Sequence, residues 1–266
     1  MPLAREVDAY IGRVRRPTLS VVIPALDESA RLGTTLHALA GATAGRDVET
    51  IVVDDGSTDD TAAVAAANLA GLPGGSVIRL GRNRGKGAAV RAGVLASSGD
   101  AVLYMDADLA TDLSALPEFL AALDSADVVS GSRTLPDAVV RNGTRDRALM
   151  ARVFNLIVRM CTGVKSNDTQ CGFKMLRGDI AREIFTLARC DRFAFDVEVL
   201  LLARRLGCRI VELPVTWTAV EGSSVRRGID SARAALDVVR IATWWTPSRV
   251  RRAVAEADRR SLATER

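Results

Sequence analysis

Residues Ala101-Val-Leu-Tyr-Met105 form a short, uninterrupted apolar run, and the next residues are Asp106-Ala107-Asp108. A run that short and apolar on both faces fits a strand covered on two sides, the condition of a strand inside a parallel sheet. The abrupt change to acid then matters. With one residue between them, Asp106 and Asp108 point the same way on an extended backbone, roughly 7 Å apart along the chain. Converging carboxylates raise each other's pKa unless a cation lies between them. A hard divalent ion, Mg2+ or Mn2+, itself holding phosphate oxygens, suits such a pair. An open α/β sheet also has its ligand crevice at the carboxyl ends of its strands. Asp-x-Asp alone leaves a second reading open, a pair of surface acids in a turn.

The rest of the chain repeats the pattern. A first buried strand from Leu19 stops at Pro24, which cannot continue a central ladder, and a helix over 29–44 follows, with Leu32, Leu36 and Leu39 as its apolar stripe. His37, the one histidine, lies on that helix and reads as a surface or packing residue. A second strand runs into Asp54-Asp55-Gly56, where a carboxylate can accept a hydrogen bond from a base or ribose. Ser57, Thr58 and Asp59 are good caps for the alanine-rich helix beyond. A third strand, 76–80, leads into Gly81-Arg82-Asn83-Arg84-Gly85-Lys86-Gly87 and a helix from about Ala88. The spacing is not that of a P-loop. A glycine-rich turn that opens a helix and carries cations is nonetheless a plausible anion site. The first strand lacks the G-x-G-x-x-G of a dehydrogenase. A helix over 113–124 and a strand over 126–133 complete the alternation, which predicts an α/β fold with a mainly parallel sheet and helices on both faces.

Composition excludes several classes. Hydrophobic residues make up 48% and charged residues 26%, as in globular chains, and no run reaches the length of a membrane span. The N-terminal stretch has no apolar core, so no signal peptide is expected. The expected location is cytoplasmic, peripheral on the cytosolic face of a membrane. The four cysteines have no C-x-x-C spacing, which argues against zinc and disulfide frameworks. The formal charge of +4 is carried almost wholly by arginine and suits phosphate-rich partners without choosing among them.

The second half reads differently. Met150, Val153, Phe154, Ile157, Val158 and Cys161 form a helical stripe, with Arg145, Arg152 and Arg159 on another face. Such a helix either covers the sheet or lies in a membrane interface. A polar stretch, 164–174, leads into a short apolar segment, 173–176. A helix over 196–206 and a strand over 208–217 follow. The stretch 220–228 reads as a basic linker. A further amphipathic helix, 229–245, ends in Trp244-Trp245, a pair that suits a bilayer interface and also packs cores. Residues 248–266 read as an arginine-rich, partly helical, mobile tail.

By Arg133 the motifs are recognisable. Val-Val-Ile-Pro24-Ala-Leu-Asp-Glu28, Val53-Asp-Asp55-Gly-Ser-Thr-Asp, Asn83-Arg-Gly-Lys86-Gly, Asp106-Ala-Asp108 and Gly131-Ser-Arg133 resemble inverting family-2 glycosyltransferases of the GT-A fold. Asp168-Thr-Gln-Cys-Gly-Phe-Lys174, Phe195-Asp196-Val-Glu198 and Pro214-Val-Thr-Trp217 look most like the dolichyl-phosphate β-glucosyltransferase branch. The resemblance implies that Pro24, Ala25, Leu26, Glu28, Val53 and Asp55 cradle base and ribose, and that Lys86, Arg133 and Arg226 lie near phosphates or sugar. It implies Asp106 and Asp108, flanking Ala107, as holders of Mg2+ or Mn2+ and the diphosphate, and Asp168 as a residue orienting sugar or acceptor. Related mannosyl enzymes carry a glutamine ligand where this chain has Ala110, which leaves coordination to water, Thr111 or Asp112. The glucosyl branch starts with a membrane span that this chain lacks.

The implied domain is 19–227, after an N-terminal extension, 1–18, and before an interface helix, 228–245, and a basic tail, 246–266. The implied reaction moves a hexose from a nucleotide sugar, UDP-glucose first among them, to a polyprenyl phosphate. The expected partners are the nucleotide-sugar donor, the lipid acceptor and an anionic membrane surface, with a membrane-embedded partner or a second copy of the chain as additions, and no nucleic acid. Two rival readings are a soluble enzyme of the same fold acting on a hydroxyl, and a non-catalytic nucleotide-sugar-binding membrane protein.

Overall fold

A computed structural model describes residues 18–70, 72, 74–220 and 229–264. The described residues form nine strands, in chain order β1 (Leu19–Ala25), β2 (Val48–Asp54), β3 (Gly75–Arg79), β4 (Ala101–Met105), β5 (Val128–Ser132), β6 (Val139–Arg141), β7 (Phe173–Arg177), β8 (Ile210–Pro214) and β9 (Thr216–Thr218). Seven of them form the main sheet in the order β3-β2-β1-β4-β7-β5-β8. Only β7 runs against its neighbours, pairing antiparallel with both β4 and β5. Strand order reverses direction between β1 and β4, and their carboxyl ends are where sheets of this kind place a ligand crevice.

Helices cover both faces. On one lie α1 (Ser29–Ala42), α2 (Thr61–Leu69) and α4 (Leu116–Ala122); on the other lie α3 (Lys86–Ala96), α5 (Arg145–Thr162), α6 (Gly178–Leu187), α7 (Phe195–Arg205), α8 (Ile229–Trp244) and α9 (Pro247–Thr264). The strands feed the two cores alternately, as a side-chain period of two requires. Leu103 and Met105 meet Leu32, Leu36 and Phe119, whereas Val102 and Tyr104 meet Val90, Phe185 and Phe195. His37 is exposed on α1.

Four expectations need correction. The strand expected over 208–217 breaks into two: β8 stops at Pro214 in the main sheet, and β9 pairs with β6 in a separate ribbon. Proline has no N–H with which to continue a ladder. Trp245 is fully buried, its indole N–H donating to Glu198 at 2.5 Å, so it packs a core and does not meet a bilayer. The expected mobile tail is helix α9, docked through buried Val250 with Ala253 and Val254 alongside. In α5, Phe154, Ile157 and Val158 do pack on the core, but Met150, Val153 and Cys161 from the same expected stripe are exposed. The helix turns a second apolar row outward, Leu149, Val153, Leu156 and Met160, at 62%, 51%, 57% and 76% exposure. Arg152 and Arg159 are exposed beside that row, while Arg145's side chain and all of Arg226 lie outside the described residues.

Candidate active site

Asp106 follows β4 directly, and its carboxylate meets Lys86, the first residue of α3, at 2.5 Å. Lys86 reaches this place because the glycine-rich turn is held from below. Asp55, just past β2, is buried and accepts the backbone N–H groups of Arg84 and Gly85, each at 2.8 Å. Gly85 has φ +106, and a Cβ on it would overlap the Asp191 carbonyl, so only glycine suits the position. Burial drives the Asp55 pKa up, against the pull of those two amides. The carboxylate expected to meet a base or ribose organises the turn that carries Lys86. Burial alone would lower the lysine, but Asp106 first and Asp196 next raise it above its ordinary value, so it is charged.

Asp108 accepts the N–H of Ala110 at 3.1 Å, and its pKa is raised, chiefly by burial and then by the Asp106 charge. The two acids do converge. Thr35 of α1 steadies the turn between them, its hydroxyl donating to the Ala107 carbonyl at 2.6 Å. Asp112, weighed above as a further ligand, instead caps the following turn by accepting Ser114 N–H at 2.8 Å. Thr111 pairs with Trp217 of β9. Among the described residues no three His, Cys, Asp or Glu side chains gather around one point. Two hard carboxylates with a cation already seated on one of them nonetheless fit Mg2+ or Mn2+. Such an ion is commonly held by one or two carboxylates, with phosphate oxygens and water completing its shell.

The other side of the crevice belongs to Asp168. Arg133, past β5, grips it with Nε at 2.6 Å, Nη2 at 2.8 Å and its own backbone N–H at 3.0 Å. Burial would raise the Asp168 pKa, but these bonds and the guanidinium charge outweigh it and hold the carboxyl below the usual range. Trp217 lies 5.3 Å from the guanidinium carbon. The segment carrying Asp168 is tied down twice. Glu212 of β8 accepts from Ser166, Asn167 and Asp168, and Asn155 of α5 bonds Asn167 and Thr169. Asn155 has no motif around it, and no sequence signal marked it.

Two contacts explain how the sides come together. β7 inserts between β4 and β5, and the residue before it, Gly172, lies against Asp106 so closely that a Cβ there would overlap the carboxylate. Pro24 and Ala25 of β1 stand beside Val53 and Asp54 of β2, bringing the expected base-binding residues to one strand end. Val53's side chain is buried in the core, so only its backbone can face a ligand there. Glu28 holds Arg31 at 2.7 Å close by, and burial raises its pKa despite that arginine.

The family model described as glycosyl transferase family 2 matches residues 20–185. A dolichyl-phosphate beta-glucosyltransferase of Dictyostelium discoideum is 35% identical over 241 residues, spanning 84% of this chain and 73% of that protein. Its counterpart in Mus musculus is 37% identical over 224 residues, spanning 78% and 69%. The Saccharomyces cerevisiae protein of the same name is 32% identical over 246 residues, spanning 83% and 73%. Among solved structures, glucosyl-3-phosphoglycerate synthase from Mycobacterium tuberculosis, in complex with Mn2+, UDP and glucosyl-3-phosphoglycerate, superposes with a TM-score of 0.62. It is 23% identical, with 90% of this chain and 81% of that one covered, a likeness of fold.

Proposed function

Because the chain belongs to glycosyltransferase family 2, we propose that it moves glucose from UDP-glucose to a polyprenyl or dolichyl phosphate, with inversion at the anomeric carbon. The observation that carries the reading is the pairing of an open acidic strand end, Asp106 and Asp108 with Lys86, with a sealed Arg133–Asp168 clamp opposite it. The names of the relatives support the same sugar and the same acceptor.

The donor lies over the ends of β1 and β2, bordered by Pro24, Ala25, Leu26, Glu28, Val53 and Asp55. Asp106 and Asp108 would hold a divalent ion, which would supply Lewis-acid stabilisation of the diphosphate leaving group. Lys86 offers that diphosphate a second cation at the N-terminus of α3, where backbone N–H groups also favour an anion. The acceptor needs little help to become a nucleophile, since a phosphate monoester's second pKa is about 6. That suits an Asp168 whose pKa is lowered and whose oxygens are occupied by Arg133: it orients, and it makes a poor base. The protein's contribution is then positioning and charge stabilisation.

The acceptor's tail stays in a bilayer, and among the described residues no helix is long and apolar enough to cross one. The outward row on α5, with Arg152 and Arg159 beside it, supports peripheral binding at the cytosolic face of an anionic membrane. Asn155 ties this helix to the Asp168 segment, so the surface that meets lipid is continuous with the acceptor side of the crevice.

The test offers purified protein UDP-glucose with Mg2+ or Mn2+ and, in parallel, polyprenyl phosphate in anionic vesicles or a panel of hydroxyl acceptors. UDP release that needs the lipid phosphate, together with salt-sensitive sedimentation that Arg152→Gln/Arg159→Gln weakens, is the expected result. Turnover on a hydroxyl acceptor with no vesicle binding at low salt would move the soluble-enzyme reading ahead.

A further inference from the structure

Lys174 of β7 is fully buried, and its ammonium donates to Asp196 at 2.6 Å and to the Cys171 carbonyl at 2.5 Å. The Tyr104 hydroxyl donates to the same Asp196 oxygen at 2.9 Å, and all three side chains are shut off from solvent. Tyr104 and Lys174 are register partners across β4 and β7, so the cluster stands directly behind Met105 and Asp106 in the strand. Asp196 also helps to keep Lys86 charged, but the reaction described above gives Lys174 and Tyr104 no part.

A buried ion pair is by itself a weak source of stability. Taking a lysine and an aspartate out of water is costly, and a well-packed apolar pair of similar volume is often as stable or more so. What an apolar pair lacks is a directed bond to a carbonyl. Here that carbonyl belongs to Cys171, whose neighbour Gly172 is the residue pressed against the Asp106 carboxylate. Cys171 is itself confined, its sulfur packed close to Gly131 of β5. Asp168 precedes it on the same short segment and ends in the Arg133 clamp. A shift of the Cys171 carbonyl would therefore move both acids.

We propose that Lys174 is a positioning residue of the transfer reaction: with Asp196 and Tyr104 it anchors the Cys171 carbonyl, and through Gly172 it sets where the Asp106 carboxylate stands. This role rests on the reading of Asp106 and Asp108 as the residues that hold a divalent ion and the diphosphate.

The experiment replaces the pair together, Lys174→Met with Asp196→Leu, so that neither charge is left buried alone. Gly172→Ala, which presses on Asp106 from the other side without touching the cluster, and Asp106→Asn are measured beside it. The readouts are melting temperature, Mn2+ affinity of the UDP-bound protein, and kcat and KM for UDP-glucose. Outer-shell changes at metal sites typically cost about 10–100-fold in metal affinity or activity. A loss of that size in Mn2+ affinity and kcat is expected in the double variant and in Gly172→Ala, both still melting cooperatively; the double variant melts lower, because the buried Tyr104 hydroxyl and Cys171 carbonyl lose their partners. A folded double variant with wild-type Mn2+ affinity and kcat, next to an Asp106→Asn protein that has lost both, overturns the role of Lys174 alone. Asp106→Asn with wild-type Mn2+ affinity overturns the metal reading and this role with it. Should the double variant fail to fold, Tyr104→Phe replaces it, keeping the ring and removing one hydrogen bond. Wild-type Mn2+ affinity and kcat in both Tyr104→Phe and Gly172→Ala then overturn the proposal.

Discussion

Two ion pairs flank β7, and they are built in opposite ways. Lys86 meets Asp106 through a single contact, with the side chains 22% and 34% exposed. Arg133 meets Asp168 through three bonds, with the carboxylate almost sealed. A lone contact open to water is one that a diphosphate and a cation can displace, because each partner is rehydrated or recaptured at little cost. A buried, bidentate contact cannot be exchanged in that way, since breaking it strands a charge out of water. In the proposed reaction, charge that must change partners sits at the open strand end, and charge that must hold a shape sits behind it.

The contrast can be broken most sharply at the open end. Asp106→Asn or Asp108→Asn keeps side-chain volume and removes one charge from the place where the proposed reaction meets the leaving group's charge. Losing one preorganised stabilising group of this sort typically costs about 10²–10³ in kcat. UDP release should fall by at least that much, with an unchanged circular dichroism spectrum; full turnover in excess chelator would remove both residues from the chemistry.

A comparison of Lys86→Ala with Arg133→Ala should then separate the two pairs by what each change damages. Stranding the buried Asp168 charge should cost about 3–5 kcal/mol of stability. Removing Lys86 from a partly buried pair held by one contact should cost less stability than that while weakening donor turnover. Denaturant melts and initial rates on the two proteins check this, and equal losses of stability would erase the distinction.

Acid titration gives the smallest and most specific signal, because the two regions respond with opposite sign. The Asp168 pKa is lowered in the fold, so its stabilisation is fully present above the ordinary carboxylate value of 3.8 and is lost as pH falls through the lower folded value. The Asp108 pKa is raised, so its ionised form is a burden at neutral pH that is relieved as pH falls from the raised value towards 3.8. Asp108→Asn should therefore raise the melting temperature at neutral pH, with the gain vanishing below about pH 4. Asp168→Asn should lower it at neutral pH, with the deficit shrinking in acid. Parallel shifts in both variants would contradict the assignment.

Much of this was legible before any fold was known. Apolar runs such as Ala101–Met105 that end in acid or proline are local statements about burial and termination, and they carried the sheet, its two covered faces and the convergence of Asp106 and Asp108. The outward row on α5 was not legible, because Val153 belongs to both apolar stripes and periodicity alone cannot say which one a neighbour covers. Trp244-Trp245 illustrates the same limit, since only the approach of Glu198 from α7 decides that Trp245 faces inward.

The amino-acid sequence by itself pointed to the class of chemistry, because an apolar strand that ends in two acids one residue apart puts both carboxylates at the same strand end. The tertiary structure alone decided which charges are exchangeable. Insertion of antiparallel β7 between β4 and β5 joins Gly172 to Asp106, Asp168 to Arg133 and Lys174 to Asp196, residues 66, 35 and 22 positions apart in the chain. Contacts across such separations leave no periodic trace, and the burial that seals one pair and leaves the other partly open exists only once both cores have closed around the sheet.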